Sequence, residues 1–309
     1  MGLKTRKTII LAAIEGVYGV DQAPLGSDAI LVTEPTITPL AGGTVSRNNA
    51  RPYLGNSQQI HVNTHVQVSF QVEIAGGGAV DTPAPWSILL QACGGDESIN
   101  AATSVVNGLI SGNEPSLTIY FFRDGQKHAL VGAHGSVSLE FSRDNIPYYN
   151  FTFTGMWVDP SSVADPTPDF TGWQTPLPVS NVNTPTVSLH GYACILESLS
   201  IDLGVDVQHA DRPNEKRVTI VDRQPAGSIS FIAPALSVQN FFTAAKDNTL
   251  GALQIVHGTT AGNIVTLDAP QVQLLEPTYG DANGETLIQA NLALIPTDAG
   301  NDELTITTT

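Results

Sequence analysis

Two histidines four residues apart, His61 and His65, have the spacing of an HxxxH metal pair. The residues around them alternate apolar and polar, so they sit on a strand. At about 3.3 Å per residue they lie about 13 Å apart, too far to share one ion, and are expected as solvated strand histidines. Asp281-Ala282-Asn283-Gly284-Glu285 opens like a calcium loop but lacks the later oxygen ligands, and its Asn-Gly pair favours a tight hairpin. Ser136 and Ser228 each follow a glycine at a strand start, without the GxSxG that presents a nucleophilic serine. No glycine loop ends in GKS or GKT, so a phosphate-cradling loop is not expected. Cys93 and Cys194 have no CxxC partner and read as buried, reduced thiols of a chain made in a reducing cytosol. Asn150-Phe151-Thr152 has the glycosylation pattern but falls in a buried strand. No catalytic, metal-binding or cofactor-binding set assembles. The expectation is a protein that is not an enzyme and uses no cofactor.

The elements that carry these residues are mostly strands. Val62, Val66, Val68, Phe70, Val72 and Ile74 occupy even positions, with polar residues between them, which predicts one long strand with a buried and a wet face. Gly76-Gly77-Gly78 ends it. Pro83-Ala84-Pro85 then leads into a short helix over Trp86 to Cys93, stopped by Gly94-Gly95. A strand at Leu117 to Phe122 turns at Asp124-Gly125, and Val137, Leu139 and Phe141 alternate. Asp144-Asn145 turns into Tyr149, Phe151 and Phe153. A proline-rich stretch from Pro160 to Pro185 reads as an extended connector.

The same order then recurs. Ala50-Arg51-Pro52 matches Asp211-Arg212-Pro213, and at the same offset Ser69-Phe70 matches Ser230-Phe231. A second short helix is expected over Leu236 to Asp247. Leu117, Val137 and Phe151 find counterparts in Leu253, Val272 and Leu292, the last after a turn at Asn283-Gly284. The reading is an internal duplication; two unrelated β domains that both alternate are the alternative. Each half is expected as a β-sandwich or barrel with one short flanking helix, giving a mainly β fold class.

Composition limits function. Of 309 residues, 29 are Asp or Glu and 13 are Lys or Arg, a formal net charge of −16. Such a chain lacks the basic footprint of a nucleic-acid binder and has no attraction to anionic lipid. Ile9 to Ile14 follows Lys4, Arg6 and Lys7 in the manner of a signal peptide, but Glu15 ends the apolar run after six residues. No apolar run approaches the 18 or so residues of a membrane helix, so no membrane partner is expected.

The run Ile14-Glu15-Gly16-Val17-Tyr18-Gly19-Val20-Asp21-Gln22-Ala23-Pro24 resembles the opening of phage tail tube proteins. So do Val32 to Leu40, Arg51-Pro52-Tyr53-Leu54-Gly55, Gly258 to Asn263 and the ending from Leu292 to Asp302. The pattern spans nearly the whole chain and is similar to the major tail tube subunits of long, non-contractile siphovirus tails. The resemblance implies a structural virion protein, assembled in the bacterial host cytoplasm, whose stacked rings form the conduit for genome ejection. It also implies as partners other copies of the chain and the tape measure, tail terminator and baseplate proteins. DNA would pass without specific binding. Tubes of this family are generally six-fold, so two similar halves per chain favour a trimer over a hexamer in each ring.

The units expected are an N-terminal arm over 1–27, a first tail-tube-like β domain over 28–159, the connector over 160–186 and a second such domain over 187–309. A long loop from Gly42 to Gln59 is the candidate inter-ring or inter-subunit contact, with Gly42, Gly43, Arg47, Asn48, Asn49, Arg51, Pro52 and Tyr53. Its two arginines could meet carboxylates of a neighbour. Asp211, Arg212, Pro213, Asn214, Glu215 and Lys216 are the counterpart in the second half. A β-sandwich binding module, recognising a receptor or carbohydrate on a phage tail or cell surface, is the competing reading.

Overall fold

The computed structural model describes residues 2–309 and is mainly β. Its first strands are β1 (Thr8–Ile14), β2 (Ala29–Ile30), β3 (Thr33–Ser46) and β4 (Gln59–Glu73). After α1 (Ser87–Gln91) come β5 (Ser98–Asn100), β6 (Ser104–Asn107), β7 (Leu117–Arg123), β8 (Gln126–Ser142) and β9 (Tyr148–Trp157). The chain continues through β10 (Ser161–Ser162), β11 (Thr186–Leu189), β12 (Tyr192–Ala193), β13 (Leu196–Asp202), β14 (Val205–Arg212), β15 (Glu215–Arg223) and β16 (Ala226–Ile232). Last are α2 (Phe241–Lys246), β17 (Leu250–His257), β18 (Val265–Ala282), β19 (Glu285–Leu294) and β20 (Thr305–Thr308). No helix among the described residues is long and apolar enough to cross a membrane.

One large sheet and a two-stranded ribbon, β14–β15, contain all of these strands. In the first half, antiparallel pairing runs β3–β4–β9–β8–β7–β1. In the second it runs β13–β16–β19–β18–β17–β11. The two series join where β13 pairs with β8 over Ser138 to Ser142. A second tie links β20 to both β18 and β6. The turns obey local chemistry: Asp124-Gly125 and Asn283-Gly284 both have positive φ, the conformation a two-residue hairpin requires.

One apolar core runs through both halves. Val66, Val68, Phe70 and Val72 of β4 are buried, as the alternation requires, together with Tyr149, Phe151 and Phe153 of β9. Phe151 stacks on Phe153 at 5.7 Å, and Phe70 lies 5.8 Å from Phe153. Across the junction, Phe141 of β8 meets the edge of His257 of β17 at 5.7 Å.

Four local expectations change. The second helix occupies only Phe241–Lys246, because Asn240 caps it through Thr243 N at 3.0 Å and the exposed Leu236 and Val238 have no core to face. The loop read from Gly42 to Gln59 shortens, since β3 continues to Ser46; Gly42 and Gly43 are strand residues opposite β4. Its counterpart is a two-residue turn, Pro213-Asn214, between the paired Arg212 and Glu215. The segment expected as an arm carries β1, which pairs with β7 along seven residues; its Met1 lies outside the described residues.

Because the core is continuous, Phe141→Ala should cost about 3–5 kcal/mol and unfold the chain as one unit. Tryptophan fluorescence and far-UV circular dichroism should then lose signal at the same urea concentration; two separated transitions would refute a shared core.

Candidate assembly surface

The side of the large sheet opposite the core is polar, with hydroxyls and amides joined by a few carboxylates. Register places them in rows across the strands. Ser69, Thr152 and Ser136 form one row. Glu73, Tyr148, Glu140, Ser200, Ser228 and Asn291 form another that crosses from the first half into the second. A third carries Gln71, Asn150, Ser138 and Asp202. Each lies two residues from its neighbour on the same strand, so the period-2 pattern that buries valine and phenylalanine turns hydroxyls and amides outward. The rows hold the carboxylates Glu73, Glu140 and Asp202 and neither lysine nor arginine. Burial alone pushes the Glu73 carboxyl above its ordinary range.

One end of this face is covered from within the chain. Tyr18 stacks on His134 with ring centres 6.1 Å apart, and its hydroxyl accepts from Val218 N at 2.6 Å and donates to Val218 O at 3.0 Å. The β14–β15 hairpin thus lies back over the first half, and Val218 is 1% exposed. Arg223, at the base of the hairpin, donates to Ile110 O at 2.8 Å and pairs with Glu303 at 3.2 Å, both side chains being nearly buried.

Beneath Tyr18 sits a buried carboxylate, Glu15, 8% exposed. It accepts hydrogen bonds from Gly19 N at 2.6 Å, Ser116 Oγ at 2.6 Å, Thr118 Oγ1 at 2.9 Å and Gly132 N at 2.7 Å. Gly132 has φ +58, and a Cβ there would meet the Tyr18 ring at 2.8 Å. Asp21 accepts from the Tyr120 hydroxyl at 2.6 Å. The Glu, Tyr-Gly and Asp of the N-terminal run therefore fasten the exit of β1 to β7, β8 and β15.

The singled-out histidines behave differently from their spacing. His61 Nδ1 bonds Gly43 O at 2.9 Å and His65 Nδ1 bonds Asn63 O at 2.8 Å. His65 instead stands 4.9 Å, ring to ring, from His209 of β14, whose Nδ1 bonds Asn63 Oδ1 at 2.7 Å. No run of sequence signals this pair, because its members come from different halves. Cys93 is buried and Cys194 half-buried; burial pushes the first thiol well up and the second up to about 12. Asp281 to Glu285 is the hairpin turn, with Gly284 N donating to Asp281 Oδ1 at 3.4 Å.

The two predicted loops also part company. Arg47, Asn48, Asn49, Arg51, Pro52 and Tyr53 lie at the exposed tip of the β3–β4 hairpin, where Arg47 N donates to Gln58 O at 3.1 Å and Ser46 Oγ meets Asn48 Oδ1 at 2.8 Å. Among the described residues neither arginine makes an ion pair. In the counterpart, Arg212 and Arg217 both hold Glu215, at 3.4 and 3.0 Å, while Asp211 and Lys216 face each other across the ribbon next to Pro213-Asn214.

A family model described as phage tail tube protein matches residues 5–303. No curated protein matches the chain.

Removing the Glu15 side chain leaves four donors without their acceptor, so Glu15→Ala should cost about 3 kcal/mol or more and expose residues 15–24 to protease. A variant as stable as the parent would remove the pin from this account. Burial, first among the causes, holds His134, His209 and His257 below the ordinary 6.5. The unfolded chain therefore takes up protons that the folded chain resists. Their contribution is complete above about pH 6.5 and is lost as pH falls below it. Tm should drop between about pH 7 and pH 5; a flat or rising Tm in that window contradicts the assignment.

Proposed function

The chain belongs to the phage tail tube protein family, and from that premise we propose that it builds rings of three copies whose stacking forms the genome conduit of a long, non-contractile tail. As a family member it is a structural tail tube protein and a virion component. The ring reading is supported by one observation above the others: the same six-strand pairing order occurs twice, β3 to β1 and β13 to β11, with the first set joined to the second through β8 and β13. Two like halves per chain, three chains per ring, give six quasi-equivalent positions. The halves are accordingly assigned as two tail-tube-like domains, 28–159 completed by β1 from the preceding segment and 187–309, joined by 160–186.

The polar face of the large sheet is assigned to the lumen. A duplex must slide along such a wall without being held, and lysine or arginine there would bind phosphate through counterion release. Hydroxyls and amides with a few carboxylates keep the wall wet and repel phosphate. Three chains, each at −16, place −48 on a ring. The tape measure, terminator and baseplate proteins are the other partners this role requires, with assembly in the host cytoplasm.

Native mass spectrometry of single rings should give three chains; six chains would overturn the symmetry. Tubes carrying Ser200→Lys with Ser228→Lys should assemble normally but eject DNA at least tenfold more slowly. Unchanged ejection would move the lumen elsewhere.

A further inference from the structure

The ring nitrogen that a histidine spends on a hydrogen bond decides whether it can also ligate a metal. His190 gives Nε2 to Val272 O at 2.8 Å. His257 engages both nitrogens, Nε2 with Leu177 O at 3.1 Å and Nδ1 with Thr184 Oγ1 at 2.9 Å. His65 and His209 do the reverse. Their Nδ1 atoms bond the two oxygens of one residue, Asn63 O at 2.8 Å and Asn63 Oδ1 at 2.7 Å. A carbonyl oxygen only accepts, so each Nδ1 carries the proton and each Nε2 keeps a bare lone pair. His209 Nε2 is out of water and has no hydrogen-bond partner among the described residues. A buried acceptor in that state calls for an occupant.

We propose that His65 and His209 bind one divalent transition-metal ion of the zinc class through their Nε2 atoms, fastening β14 of the second half to β4 of the first. The site lies within one chain and does not depend on the ring reading.

The geometry suits one ion. A zinc–nitrogen bond of about 2.0–2.1 Å puts each ring centre about 3.2 Å from the metal. Ring centres 4.9 Å apart then subtend about 100° at the ion, close to the tetrahedral angle. Asn63 is the outer partner that metal-bound imidazoles usually have, fixing both tautomers and both ring directions from a single residue. Its φ of +56 is a conformation that asparagine tolerates better than most side chains. Neutral imidazole selects zinc, nickel or copper over magnesium and calcium, which take oxygen ligands. No third His, Cys, Asp or Glu joins the pair among the described residues, so water completes the coordination. His61 also spends Nδ1 on a carbonyl, Gly43 O, but is paired with no second imidazole among the described residues.

The ion would act at a place the fold already clamps. His209 and Val218 face each other across the ribbon, and Val218 is the residue that Tyr18 holds. Tyr18 secures β15, and the histidine pair secures β14 at the same rung. Lys216, the cation that bears on His209, faces Asp211 across the ribbon, while Arg212 and Arg217 are drawn to Glu215. The strand spacing of His61 and His65 conceals this pairing, because the second ligand comes from the other half of the chain.

Equilibrium dialysis of the full chain against zinc at neutral pH should find one ion per chain, and dialysis against magnesium should find none. H65Q and H209Q should each weaken zinc binding at least tenfold, and H61Q should leave it unchanged. N63G keeps the left-handed backbone but removes the oxygen that orients His209, and should weaken binding about tenfold. With zinc at about ten times its Kd, trypsin should cut at the exposed Lys216 and Arg217 about tenfold more slowly in the parent and in H61Q, but not in H209Q. No bound zinc, or zinc held equally by the parent, H65Q and H209Q, would overturn the site. Zinc that binds without slowing trypsin would overturn the fastening of β14.

Discussion

Every backbone N–H and C=O at a strand edge needs a partner, and the way β8 meets that requirement organises the molecule. Its long edge is shared by β7 and β13, so one strand belongs to both halves and makes one sheet of two repeats. β18 takes β17 and β19 where β8 takes β7 and β9, but no strand of the second half occupies the place that β13 holds beside β8.

The N-terminal carboxylate keeps the shared strand in its shape. Glu15 draws in a backbone amide from the bulge of β8, two hydroxyls from the start of β7 and an amide from its own turn. Four donors on one buried carboxyl offset the cost of removing it from water. Tyr18 extends the knot to β15, so the hairpin of the second half is held over the first.

Much of this was legible in the residues. The alternation from Val62 to Ile74 marked β4 and its buried face, although Val62 itself lies outward past Asn63, whose φ of +56 breaks the strand's regularity. Asp-Gly and Asn-Gly located both tight turns, and the shared order of Ser69-Phe70 and Ser230-Phe231 marked strands that pair alike. What could not be read depends on long-range packing. His65 finds His209 only because β14 folds back across β4. Gly42 and Gly43 look like loop residues yet continue β3, because β4 supplies partners as far as Gln59. Leu236 looks helical by periodicity, but no core lies beneath it.

The central claim is that the polar face of the large sheet lines the bore of a tube, and access to a cysteine placed at Ser200, probed with a thiol reagent too bulky to enter the bore, tests it most directly. The account predicts rapid labelling in dissociated subunits and protection in assembled tubes. Equal labelling in both would contradict it.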